Sequence, residues 1–208
     1  MVNMKKLLMA LLSLILMAAC SSEPSKPAPA EQPQPKTPEL VTGRTAFQKL
    51  YIAARGWAPD AQPYRLESMT TADSKGQNGR AVVWHAFFAS PTRRGVRPYM
   101  WSGEDASDAP SRGISPGTED TYSPSNSSTQ VFDMQFLKTD SDKALETAQK
   151  HGGEKLMQKD PNTPVDYMLD WSRATNELIW HVIYGDRDNP KLRVAVNASS
   201  GDFIRVEK

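Results

Sequence analysis

The chain has 208 residues, with 25 lysines and arginines against 24 aspartates and glutamates, a formal net charge of +1. That balance argues against generic nucleic-acid binding, which needs a basic excess or patch on a phosphate backbone. Arg93, Arg94 and Arg97 cluster only beside a turn. The chain's one cysteine, Cys20, excludes an intramolecular disulfide.

The amino terminus carries the strongest signal. Lys5 and Lys6 form a short positive stretch. Leu7 to Met17 is an apolar run broken only by Ser13, and Ala18 and Ala19 are small residues suited to a cleavage site. This is the three-part layout of a secretory signal. A membrane-spanning helix needs about 20 apolar residues, and the run from Leu7 to Ala19 is too short. Leu16-Met17-Ala18-Ala19-Cys20 resembles the lipobox of bacterial lipoproteins, with Met17 where Leu, Val or Ile is usual and Leu16 one place earlier. The resemblance implies a signal peptide over residues 1–19. It also implies a diacylglyceryl group on the Cys20 thiol, cleavage before Cys20 and acylation of the new amine. An unpaired thiol in a secreted chain asks for an explanation, and acylation supplies one. Each buried methylene contributes about 0.8 kcal/mol, and stable anchoring takes more than one chain. Ser21 and Ser22 follow the cysteine where Asp would mark inner-membrane retention, so the resemblance implies an outer-membrane address in a cell that has one.

Residues 20–38 form a tether, with prolines at 24, 27, 29, 33, 35 and 38. Proline fixes φ and removes a donor. Such a segment is expected to be extended, rising about 3.1 Å per residue.

The rest, from Glu39 on, is long enough for one medium domain or two small ones. It carries a weak internal repeat. Trp84-His85 in one apolar run recurs as Trp180-His181 in another, and Val96-Arg97 aligns with Leu192-Arg193 at the same spacing. Two units are expected: a first α/β unit over 39–130, with a long polar loop at 103–130, and a second over 131–208. In the first, Phe47, Leu50, Tyr51 and Ala54 share one helix face, with Thr42 or Thr45 as cap and Gly56 as stop. Strands follow over 64–70, 81–89 and 96–102. A weaker strand is expected over 131–137. In the second, a helix runs from about Ser141 to His151, with Asp140, Ser141 and Asp142 as N-cap candidates and Gly152-Gly153 as its end. Its strands lie over 165–171, 178–184, 192–197 and 203–206.

The order helix, strand, Trp180-His181-Val182-Ile183-Tyr184, then Val194-Ala195-Val196-Asn197-Ala198-Ser199-Ser200-Gly201-Asp202-Phe203 resembles a PepSY-type domain. Asn197 stands for its usual Asp and Ser200 for its usual Thr. The likeness covers 141–208, with a fainter echo over 44–103. It implies an α+β fold of two repeated α-then-antiparallel-β units with helices packed on one sheet face. It also implies protein binding or inhibition without enzymatic activity.

The chemistry-bearing residues point the same way. His85, His151 and His181 have no metal-ligand spacing, so no metal is expected; half-buried, satisfied histidines are. No serine sits in Gly-x-Ser-x-Gly, no glycine-rich phosphate loop occurs, and no cofactor is implied. Glu104/Asp105 and Glu119/Asp120 fall in the polar loop and read as solvated. Packing is the favoured reading for Trp57 and Trp101, and the same two residues with Arg93, Arg94 and Arg97 form the candidate partner surface. The reading is a non-catalytic, lipid-anchored envelope protein that displays a domain to a protein partner, such as a peptidase or an assembly component. Small-ligand or lipid carriage is the alternative, in a groove between helices and sheet lined by Phe47 and Tyr51.

Overall fold

A computed structural model describes residues 37–207 apart from 73, 106 and 108. The expected signal peptide, Cys20 and the tether up to residue 36 lie outside the described residues.

The first element, β1 (Val41–Thr42), pairs with β3 (Arg80–Ala81). Helix α1 (Gly43–Trp57) follows, burying Ala46, Phe47, Leu50 and Ala54 at helical spacing. Thr42 precedes it but caps no backbone N–H. The orphan donors find partners far along the chain: Gly43 N–H donates to Ser141 Oγ (2.8 Å) and Arg44 N–H to Asp140 Oδ1 (2.8 Å). The Ser141 hydroxyl in turn donates to the Gly79 carbonyl (2.6 Å). Gly56 does not stop the helix, which continues to Trp57.

Strands β2 (Gln62–Met69), β4 (Val83–Ser90) and β5 (Gly95–Ser102) form an antiparallel meander. The stretch 103–130 is not simply a loop: β6 (Gly113–Pro116) and β7 (Asp120–Thr121) both pair with β5, giving its outer edge backbone partners. No strand forms over 131–137. Met134–Phe136 is a 3₁₀ turn capped by Asp133, and Phe132 instead stacks on Phe47.

Helix α2 (Ser141–Ala148) is capped by Asp140, whose Oδ1 accepts the Ser141 N–H (2.7 Å). The helix breaks at the two glycines that follow, as expected. The chain kinks through His151 (φ −108°) and Gly152 (φ +116°), and a separate short helix, α3 (Glu154–Lys159), starts beyond. Only glycine adopts that positive φ freely.

The second meander is β8 (Val165–Ser172), β9 (Glu177–Gly185) and β10 (Pro190–Asn197), closed by β11 (Phe203–Glu207). All of these strands join one antiparallel sheet in the order β11-β10-β9-β8-β2-β4-β5-β6, with β7 also on β5. The two meanders meet where Leu66 of β2 pairs with Leu169 of β8. The described residues are therefore mixed α and β, with the helices on one face of a mostly continuous sheet and a single apolar core between them.

The core centres on two tryptophans. Trp84 and Trp180 are fully buried and meet edge to face, with centroids 6.5 Å apart. Each indole N–H donates to a carbonyl two residues before a helix: Trp84 to Val41 (3.1 Å) and Trp180 to Thr139 (2.9 Å). Both helix starts are thus tied to the sheet beneath them. Gly43 fits because it has no side chain: a Cβ there would lie 2.6 Å from the Trp180 ring and 3.0 Å from the Trp84 ring. Gly43→Ala is expected to lose about 1–3 kcal/mol to overpacking, measured by urea unfolding. A neutral or stabilising result would mean the two rings have room to move.

Candidate functional site

The alternation of β strands explains the Trp-His pairs. Adjacent residues point to opposite faces, so Trp84 and Trp180 enter the core while His85 and His181 face the side without helices. The registers put Ala195, His181, Met168, Glu67, His85 and Met100 in one row across that face.

The two histidines have different environments. His181 is buried and clamped: Nδ1 lies 2.6 Å from Glu207 Oε2 and Nε2 lies 3.2 Å from Asp170 Oδ1. Burial pushes its pKa down, but hydrogen bonds and charge from Asp170 and Glu207 outweigh that and raise it to about 9. Burial pushes the Glu207 carboxyl up, and bonding to His181 more than reverses this, leaving it below its ordinary value. His181 is therefore an imidazolium that ties β11 through β9 to β8, with both nitrogens occupied. It offers no free nitrogen to take a proton from a substrate. His85 lies tilted against the Phe87 ring, with centroids 4.1 Å apart. Burial lowers its pKa, Glu67 opposing and Arg187 adding to the shift, so it is neutral at pH 7.

Beside His85, Arg187 donates to Glu67 Oε2 (2.8 Å) and to the Ser68 carbonyl (2.6 Å), with Asp166 3.8 Å away. Burial raises the Asp166 carboxyl, partly offset by Arg187 and by the Ser68 hydroxyl. Glu67, Ser68, Met69, Thr70, His85, Asp166 and Arg187 line a cleft of about 360 Å³. Among the described residues no serine hydroxyl bonds a histidine, and no group of three His, Cys, Asp or Glu has metal-holding geometry.

The surface named from sequence is rearranged. Trp57, Arg93 and Arg97 do come together, but around Glu119. Trp57 Nε1–H donates to Glu119 Oε2 (2.9 Å), and Arg93 lies over the Trp57 ring (5.5 Å) with Nε 3.5 Å from Glu119 Oε1. Arg97 donates to the Gly117 carbonyl (3.1 Å). These contacts staple 117–121 onto β5. Glu119 is thus the hub of that staple, and its carboxyl is held below the ordinary value by the Trp57 hydrogen bond and by Arg93, against a smaller effect of burial. Arg94 is exposed at φ 54° in the β4–β5 turn. Trp101 is no surface anchor: it is buried in the core, with Lys49 Nζ 4.7 Å above its ring. Glu104 is buried too, its carboxylate oxygens without hydrogen-bond partners among the described residues, because the chain turns inward after β5.

The expected groove over Phe47 and Tyr51 is filled. Phe47 is fully buried, stacked between Phe88 (5.8 Å) and Phe132 (6.0 Å). Tyr51 lines only a mostly polar cleft of about 320 Å³ with Arg55, Asp60 and Asp133. A larger groove, about 690 Å³, lies at the other helix pair. It is lined by Gly152, Lys155, Leu156, Lys159, Asp160, Lys191 and Leu192, between α3 and β10. The sequence signal for it was Gly152-Gly153, read as a helix stop.

No protein-family model matches the chain, and no curated protein matches it. Among solved structures, its fold is similar to the crystal structure of a candidate lipoprotein from Clostridium difficile 630. The TM-score is 0.52 over 78% of this chain and 91% of that one, at 12% identity. At that identity the likeness is one of fold alone.

Proposed function

We propose that the chain is a lipid-anchored protein of the cell envelope, facing from an outer membrane where the cell has one. Its non-catalytic α+β domain, built from two PepSY-like units, recognises a protein partner. The observation that carries this reading is the order of parts: a cleavable leader, a lone Cys20 directly after it, and a proline-rich tether. The domain follows, its first backbone bond running from Glu39 N–H to the Gly103 carbonyl. The fold shared with a candidate lipoprotein supports it. The paired roles of Trp84 and Trp180 support two related units, since each indole holds the carbonyl two residues ahead of its own unit's helix. The clamped His181, with neither nitrogen free, supports a non-enzymatic role.

Anchoring restricts the domain to a surface and raises its effective concentration toward partners there. The helix-free sheet face offers ordered charges, Glu67, Asp166 and Arg187, and the outer strand β11 offers backbone groups for strand addition. A second reading, carriage of a small ligand or lipid, is favoured by the groove between α3 and β10.

Cys20→Ser is expected to abolish acylation, seen as loss of the lipid mass from the amino-terminal peptide, and to shift the protein from the membrane to the soluble fraction. A wild-type chain with a bare amine at Cys20, or with residues 1–19 still attached, would overturn the anchor. Crosslinking in envelopes from the helix-free face tests the partner; capture of no protein there would favour carriage.

A further inference from the structure

The groove between α3 and β10 combines two chemistries. Its floor is apolar: Leu156 and Leu192 are half-buried, packed against the core on one side and open to the groove on the other. Between them the chain passes as bare Gly152. At φ +116° this position rejects a side chain, and a Cβ there would sit against Leu192 at 3.4 Å. Gly152 sits at the kink between α2 and α3, where the backbone leaves helical geometry. Here it brings main chain rather than side chain to the groove and leaves the Leu192 surface uncovered.

The rim is cationic. Lys155 and Lys159 are one turn apart on the same face of α3, an arrangement of like charges that disfavours the helix. Neither has an ion pair among the described residues, and both are exposed. Lys191 stands across the groove, its ammonium 2.7 Å from Asp160. Three ammonium groups thus face one carboxylate around an apolar floor. The volume of about 690 Å³ falls within the range of small-molecule sites, roughly 300–1,000 Å³.

We propose that this groove binds a single-chain anionic amphiphile. The acyl tail lies on Leu156 and Leu192 across Gly152, and the acid headgroup sits among Lys155, Lys159 and Lys191. Charge complementarity chooses the occupant: an anion relieves the Lys155–Lys159 repulsion, and a tail covers apolar surface that water now wets. The proposal rests on the carrier reading of the domain and not on the anchor.

The test is calorimetric titration of the chain from residue 20 onward, carrying Cys20→Ser so that no attached lipid competes. Oleate and oleoyl-lysophosphatidylglycerol are the probes. Oleylamine is the tail-matched cation, and inorganic phosphate the anion without a tail. Both anionic probes are expected to bind, with oleylamine and phosphate at least about tenfold weaker. Lys155→Gln with Lys159→Gln is expected to weaken oleate roughly tenfold without lowering Tm, since both side chains are exposed and their repulsion is removed. Equal binding of oleylamine and oleate would overturn the proposal. Oleate binding untouched by the double substitution would overturn this groove while leaving carriage standing, and no binding of either anionic probe would overturn both. Attachment to phosphatidylglycerol vesicles without binding of soluble probes would make the patch a membrane contact and likewise overturn the proposal.

Discussion

Replacing Trp180 with alanine is expected to lower the free energy of unfolding by about 4 kcal/mol, within the range for deletion of a large buried aromatic. That is a large share of the 5–15 kcal/mol typical of a domain. The ring is fully buried, meets Trp84 edge to face, roofs Gly43, and donates to the Thr139 carbonyl. Its removal opens a cavity under the starts of both α1 and α2 and frees a carbonyl that steadies the approach to α2. Trp180→Phe keeps part of the ring volume and removes the donor, so its loss is expected to be smaller. Because Trp84 and Trp180 touch, the double alanine variant should cost less or more than the sum of the singles, by at least about 0.5 kcal/mol. Urea unfolding of the three variants decides it. A Trp180→Ala loss under about 1 kcal/mol, or strict additivity, would show that the two rings do not act as one core.

The second large effect is on pH dependence. His181 titrates near 9 in the folded chain, against an ordinary value of 6.5. A group whose folded pKa is raised binds its proton more tightly in the native state. Its contribution is complete below about 6.5 and is lost as the pH rises through about 9. The shift corresponds to a contribution on the order of 3 kcal/mol. Glu207 acts in the opposite sense: its carboxyl is lowered, so its contribution is present above its ordinary value of 4.5 and is lost as the pH falls through the folded value. Stability from this cluster should therefore be greatest between about 4.5 and 6.5 and decline on the alkaline side. Urea unfolding at pH 6.5 and pH 9.5 measures it, with His181→Gln as the control that removes the alkaline slope. Nuclear magnetic resonance titration of the His181 ring gives its pKa directly. An imidazole that titrates near 6.5, or an unaltered slope in His181→Gln, would break the assignment. Since Glu207 lies on β11, the edge strand is where protection from hydrogen exchange should weaken first at high pH.

Much of the fold was legible in local pattern. The 3.6-residue spacing of Phe47, Leu50 and Ala54 placed α1, and the cap candidates Asp140, Ser141 and Asp142 marked the start of α2, because these signals lie within a few residues of the element they specify. The apolar runs around Trp84 and Trp180 placed β4 and β9 for the same reason. Other features misled. Gly152-Gly153 reads as a stop because glycine usually ends helices, and the helix does break there, but a second short helix follows at once, which no cap signal announces. Residues 113–121 look like polar loop because their pairing is with the edge of β5, and their own side chains bury little. Trp101 precedes a polar stretch and so was a surface candidate, but the favoured reading, packing, holds: its strand turns it into the core.

The amino-acid sequence by itself determined the leader, the lone Cys20 and the tether as expectations, the positions of most helices and strands, and the alternation that sends tryptophan one way and histidine the other. Those properties depend on neighbours in the chain, so composition and period suffice to read them. Only the tertiary structure decided that Asp170 and Glu207 converge on His181, and that Glu119 gathers Trp57 and Arg93. It alone brought Ser141 and Asp140 to the start of α1, and Lys191 across from Lys155 and Lys159. Each of these joins residues from eleven to nearly a hundred positions apart, and their meeting is set by strand order and register, which no local pattern encodes.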